Sequence, residues 1–110
     1  MSKFKQELMQ QFLQRLEIEL KKHKKLIRKI KEGLRELQNI NGTKLFTVSY
    51  VDGRREEQFF IVPGKFVLEL ENNVFATGLL SEIYESLEET KVGDEVNFPC
   101  NKKGKIISIE

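Results

Sequence analysis

In the first forty positions, apolar residues fall at Met9, Leu13, Leu16, Leu20, Ile27, Ile30, Leu34 and Leu37, with His23 in the same series, at spacings that alternate between four and three. Such alternation is a heptad a/d seam, the signature of a helix that packs along one stripe. No Pro, Gly, Asn or Asp occurs between Ser2 and Lys31 to turn the chain, so the pattern predicts one helix from Ser2 to about residue 40. Asn39-Ile40-Asn41-Gly42 supplies its stop. About 36 helical residues would span roughly 54 Å, longer than a body of some 70 residues is wide. Part of the seam therefore needs another partner, such as a second copy of the helix or a groove in a larger protein. Phe4, Leu8, Phe12 and Ile18 widen the apolar surface near the N-terminal end. His23 lies on the seam, where a polar residue sets register.

Past residue 42 the period changes. "KLFTVSYVDGRREEQFFIV" is two β-branched and aromatic runs around Asp52-Gly53, a dipeptide favoured in tight hairpins because both central residues need positive φ. It predicts a hairpin of Lys44 to Val51 with Glu57 to Val62. Pro63-Gly64 ends that hairpin, and "KFVLEL" reads as a third strand before the turn at Asn72-Asn73. In "GLLSEIYESLEET" the apolar residues Leu79, Leu80, Ile83 and Leu87 return to helical spacing, with glutamates outside them. "EVNF" and "KIISIE" give two more strands, joined through Pro99 to Gly104. The expected architecture is α+β: a long coiled-coil helix over residues 1–41, then a mainly antiparallel β-β-β-α-β-β domain over residues 42–110.

Charge divides the chain at the same place. Residues 1–42 hold 11 Lys/Arg and 5 Glu, a balance of +6, whereas residues 43–110 hold 8 Lys/Arg and 12 Asp/Glu, a balance of −4. A basic arm thus precedes an acidic body. Within the arm, "KKHKKLIRKIK" places Lys21, Lys22, Lys24, Lys25, Arg28, Lys29 and Lys31 in eleven positions. Two readings are open for this cluster: a phosphate-contacting stripe for a nucleic-acid backbone, or the solvated face of a coiled coil. No aromatic residues interleave with the lysines, so base stacking is not indicated.

The remaining composition excludes several classes. With 39% apolar and 33% charged residues and 2 prolines, the chain is foldable and heavily solvated. No run approaches membrane-spanning length and the N-terminus is polar, so the default expectation is a cytoplasmic protein without a membrane segment. Cys100 is the one cysteine and His23 the one histidine, which leaves no intramolecular disulfide, no zinc cluster and no convincing nucleophilic triad. No cofactor or metal is expected, and no enzymatic activity.

The stretch "SEIYESLEETKVGD", residues 81–94, carries a resemblance. A short helix, then Lys-Val-Gly-Asp, then a strand resembles the FKBP-like fold, and more narrowly the C-terminal domain of the bacterial Gre transcript-cleavage factors. Their pattern runs approximately Ser-Pro-Leu-Gly-Arg-Ala-Leu-Leu-Gly-Lys-Lys-Val-Gly-Asp. Ser81, Leu87, Lys91, Val92, Gly93 and Asp94 match it, with Ile83 in place of Leu and Ser86 in place of Ala, while Glu82 and Tyr84 replace the family's Pro and first Gly. "KGKIISIE" resembles the final Gre strand, and "VDGRREEQFFIV" the family's charged hairpin. The resemblance implies an RNA polymerase-binding protein that modulates transcription, with Ser81, Glu82, Ile83 and Ser86 on the docking surface and the basic arm beside nucleic acid.

Gre factors carry a helical hairpin ahead of this domain, with metal-holding acidic residues at its tip. A single long helix has no such tip, and its free end holds Lys3, Lys5 and Glu7, a poor site for a hard cation. Transcript cleavage is therefore not implied. The prolyl isomerases that share the FKBP-like fold use a tryptophan-floored pocket, and the chain has no Trp. Without the family, the seam itself supports a homo-oligomeric coiled-coil adaptor.

Overall fold

A computed structural model describes residues 3–40, 43–50, 55–99 and 102–110, without the side chains of 38–40. The Asp52-Gly53 turn, the Asn41-Gly42 stop and Cys100 lie outside the described residues. The chain divides into two compact units, Met1–Thr43 and Lys44–Glu110.

The first unit corrects the expectation of one long helix. It contains α1 (Lys3–Glu19) and α2 (Lys24–Ile40). Leu20 N–H still reaches Leu16 O at 2.9 Å, but His23 N–H then bonds Leu20 O at 2.7 Å, a three-residue closure that turns the chain. Helical bonding resumes with Ile27 N–H to His23 O at 3.0 Å, which makes His23 the residue that caps α2. The seam is therefore split between two helices that contact each other. Met9, Leu16, Ile30 and Leu34 are buried, as are Leu8 and Phe12, whereas His23 is exposed in the turn and no longer a register residue within a seam.

No turn-forming residue marks this break; charge and burial together explain it. Lys21, Lys22, Lys24 and Lys25 would form like-charge pairs at i,i+3 and i,i+4 on a continuous helix, each unfavourable by about 0.2–0.5 kcal/mol. Burying one Leu or Ile side chain is worth about 1.5–3 kcal/mol. Burial is thus the larger drive toward folding back, and the lysines decide where the helix gives way. Glu17 and Lys31 then meet across the turn at 3.3 Å. Both are well exposed, so the pair aligns the helices more than it stabilises them.

The second unit is an α+β domain with a six-stranded mixed sheet in the order β3-β4-β2-β1-β6-β5. Its strands are β1 (Leu45–Tyr50), β2 (Glu56–Val62), β3 (Val67–Glu71), β4 (Val74–Gly78), β5 (Glu95–Asn97) and β6 (Lys103–Ile109), with α3 (Glu82–Leu87) between β4 and β5. The observed order β-β-β-β-α-β-β corrects the expected one by adding β4. The sheet is also not antiparallel throughout, because β2 and β4 pair in parallel, Phe59 opposite Phe75 and Phe60 opposite Ala76. β4 escapes a reading by alternation since Val74, Ala76, Thr77 and Gly78 are all buried, as in a strand covered on both faces, and Ala and Gly are weak strand formers. Residues 78–81, expected to begin the helix, instead close the strand and cap α3.

One sheet face carries Phe46, Val48, Tyr50, Phe59, Ile61, Val96, Phe98 and Ile106, packed with Leu87, Ile83 and Tyr84 of α3. Phe59 is central to it: its ring stacks on Phe75 at 5.7 Å and tilts against Phe98 at 5.4 Å. The opposite face of the central strands holds Leu45, Phe60, Val62, Val74 and Ala76, also buried.

The passage from β2 to β4 requires a close crossing of backbone. Gly78 N–H bonds Phe66 O at 2.8 Å, and Leu80 N–H bonds Gly64 O at 2.9 Å. A Cβ at Gly78 would collide with the Gly64 carbonyl, its carbon being 2.6 Å away. Gly93 is different: nothing lies within 4 Å of a Cβ there, but its φ of +99° is a conformation that L residues rarely adopt. With Asp94 N–H bonded to Lys91 O at 3.0 Å and Asp94 Oδ2 accepting from Lys91 N–H at 2.9 Å, the turn is of type II kind, with Gly at its third position.

Gly78→Ala is expected to lose about 1–3 kcal/mol through forced backbone displacement, and Gly93→Ala about 1 kcal/mol through φ alone. Urea midpoints at constant m-value measure both, and an unchanged midpoint for Gly78→Ala would mean that the 64–66 segment yields freely. Tyr84 provides a pH prediction. Burial, and secondarily the Glu88 carboxylate, raise its hydroxyl above the ordinary value of 10.0. A pKa raised on folding contributes stability that is intact below the unfolded value and lost as pH climbs through the folded one. In Tyr50→Phe, which leaves Tyr84 as the chain's one tyrosine, ultraviolet titration should give a higher midpoint for native than for urea-unfolded protein. Coincident midpoints would contradict the burial of this hydroxyl.

Candidate functional site

The hairpin turn of the first unit gathers the cationic residues picked out by the sequence. Lys21 and Lys22 follow the end of α1, while Lys24, Lys25, Arg28 and Lys29 stand on the first turns of α2, and all are exposed. Lys21, Lys22, Lys24, Lys25 and Lys29, with His23 and Leu26, line a shallow depression of about 640 Å³. Lys31 stands apart from them, drawn to Glu17. The other nearby acid, Glu19, is held by Arg15 at 3.3 Å. Neither of these two acids thus pairs with the lysines of the turn, the first turn of α2 carries no acidic residue, and the next acid along α2 is the exposed Glu32.

Helix polarity sharpens that imbalance. Lysines just past a helix C-terminus sit favourably at the negative end of the macrodipole, as Lys21 and Lys22 do. Lys24 and Lys25 sit at the positive end of α2, beside N–H groups that lack intrahelical acceptors. The local field therefore favours an anion. A metal cation is not favoured there, and among the described residues no three His, Cys, Asp or Glu side chains converge to hold one.

The residues proposed for docking cluster on α3 of the second unit, but only some present themselves outward. Ser81 is 7% exposed, and its hydroxyl is fully employed: Oγ donates to Gly78 O at 2.7 Å and accepts from Tyr84 N–H at 3.2 Å. It is the N-cap of α3, a structural task for which Ser is a preferred residue. Ile83 is half-buried and packs toward the aromatic core. Glu82 is exposed and Ser86 half-buried. These two line a depression of about 270 Å³ together with Glu85, Asn97 and Pro99.

Asn97 and Pro99 had no signal in the sequence that tied them to α3. They arrive because β5 pairs with β6, and β6 with β1, bringing the β5 end beneath the helix. Glu85 was legible as an outer-face glutamate, but its role as a neighbour of Asn97 was not. Of the four residues that the resemblance implies for docking, Glu82 and Ser86 thus line a small notch with Glu85, while Ser81 and Ile83 face inward.

No helix among the described residues is long and apolar enough to cross a membrane. No family model matches the chain, and comparison with curated proteins and with solved structures finds no match.

Proposed function

We propose that this chain is a non-catalytic, Gre-like protein that binds bacterial RNA polymerase and modulates transcription, its second unit being an FKBP-like docking domain. One observation carries the reading: the arm is a helical hairpin rather than a single helix. A helical hairpin followed by an α+β domain, with Lys91-Val92-Gly93-Asp94 set between α3 and β5, is the arrangement that the motif resemblance implies. The hairpin supplies the element whose apparent lack limited that resemblance at the level of sequence.

Its turn has the opposite charge from the Gre tip. Stimulating hydrolysis through a bound magnesium needs clustered carboxylate oxygens. Lysines around His23 offer none, so the hairpin would act by occupying a site or by touching phosphates. The acidic notch around Glu82 and Glu85 is the part of the body suited to a basic docking surface.

Purified bacterial RNA polymerase at moderate salt should be retained by the immobilised full chain, and Glu82→Lys should reduce that retention. Transcript cleavage in halted complexes should stay at the level without the protein. No retention at all would sink the proposal. Ile18 at 70% and Leu26 at 46% exposure give a homo-oligomeric adaptor its own support, as uncovered aliphatic residues on the hairpin. That second reading requires a dimer or larger species of the full chain by light scattering, together with no affinity for polymerase.

A further inference from the structure

We propose that the turn of the helical hairpin is a binding site for clustered phosphates, with a short phosphate chain seated in the depression ringed by Lys21, Lys22, Lys24, Lys25 and Lys29. The inference deepens the reading of this turn as an anion-facing element. It does not depend on polymerase.

Three observations point to this ligand class. The first is uncompensated charge. From Leu20 to Lys31 there is no acidic residue; on the α1 side Glu17 and Glu19 pair with Lys31 and Arg15, and on the α2 side the first acid, Glu32, comes only after seven Lys/Arg. Exposed like charges held this closely repel one another, and a polyanion removes the repulsion as it binds.

The second is shape. The lysines surround a concavity of about 640 Å³, a size that suits a compact ligand. From Lys24 to Lys29 α2 rises only about 8 Å. Charge concentrated over so short a length matches several phosphates in one chain better than the spaced phosphates of an extended nucleic-acid strand.

The third is what the lining lacks. No Phe, Tyr or Trp occurs between Phe12 and Phe46, and the His23 imidazole is the one ring in the lining, so the turn offers successive bases no row of stacking platforms. Leu26 is the one large apolar side chain in the lining. Recognition would rest on charge, with the open N–H groups at the start of α2 adding donors.

A phosphate chain can come free or as the triphosphate of a nucleotide. Calorimetric titration of the full chain with inorganic tripolyphosphate, with ATP and with a short single-stranded oligonucleotide bearing a 5′-hydroxyl separates these sources. Tripolyphosphate should bind, with an affinity that falls roughly tenfold or more as salt is raised from low to physiological strength. ATP binding comparably would assign the seat to phosphates in either source, and ATP binding far more weakly would assign it to the free chain.

Lys22→Glu/Lys25→Glu should weaken tripolyphosphate roughly tenfold or more. Lys22→Gln/Lys25→Gln, which relieves repulsion and so leaves the fold secure, should weaken it in the same direction. Lys65→Glu/Lys91→Glu alters net charge equally at exposed positions of the other unit and should leave the affinity within about twofold. No tripolyphosphate binding, binding that responds equally to both sets of charge reversals, or binding of the oligonucleotide alone would each overturn the inference. Polymerase retention without phosphate binding would remove this inference and leave the docking proposal intact, and the converse result would do the opposite.

Discussion

The arm of this protein depends on a competition between four lysines and an apolar seam. Lys21, Lys22, Lys24 and Lys25 are packed around His23, where a continuous helix would stack them at i,i+3 and i,i+4. Their repulsion alone is of the order of a single weak interaction and would not end a helix. The seam on either side contributes more, since each of Leu16, Ile30 and Leu34 becomes buried once the chain has turned. Location and drive thus come from different residues: the charges mark the weak point, and the aliphatic residues fold the chain there. The same lysines then become the surface of the turn, so the feature that breaks the helix is also the feature offered to a ligand.

In the second unit, a comparable economy holds at Gly78. β4 can lie parallel to β2 only if the chain passes out through β3 and returns, and the 64–66 segment must cross the end of β4 closely to do so. Gly78 makes room for that crossing. Its carbonyl also accepts from the Ser81 hydroxyl at 2.7 Å, and the same hydroxyl caps α3. The strand end, the crossing and the helix start are therefore one connected feature. It fixes the direction in which α3 leaves the sheet and hence the position of Glu82 and Glu85.

Much of this architecture was legible in the sequence, and the failures have physical reasons. The β-branched runs of β1 and β2, the period change into α3 and the turn at Gly93 were each readable, because each carries a local signal: alternation, helical spacing, or a glycine where φ is positive. The break at residues 20–23 carries none. It has no turn-forming residue: the chain uses exposed lysines and a helix N-cap histidine, which in composition look like any solvated helix face. β4 was invisible for the reverse reason, since a strand buried on both faces has no alternation to show. The motif resemblance places Ser81 on a docking surface, whereas its position three residues before Tyr84 N–H is also where a cap belongs, and the cap explains its burial. Asn97 and Pro99 join Glu82 only through sheet pairing, which no local pattern encodes.

Replacing acids by lysines at a hairpin turn changes more than the sign of a surface. Carboxylates can hold a hard cation and, through it, polarise water, so an acidic turn can take part in a reaction. Lysine side chains offer donors alone, and a cation placed among them would meet repulsion with no oxygen ligand to offset it. The chemistry open to such a turn is association: it can gather phosphates, or fill a space lined by acids. Its position at the start of α2 strengthens the preference, because the helix dipole adds positive potential where Lys24 and Lys25 already stand. The fold of the hairpin and the charge of its turn therefore favour the same kind of neighbour at this place, an anion rather than a cation.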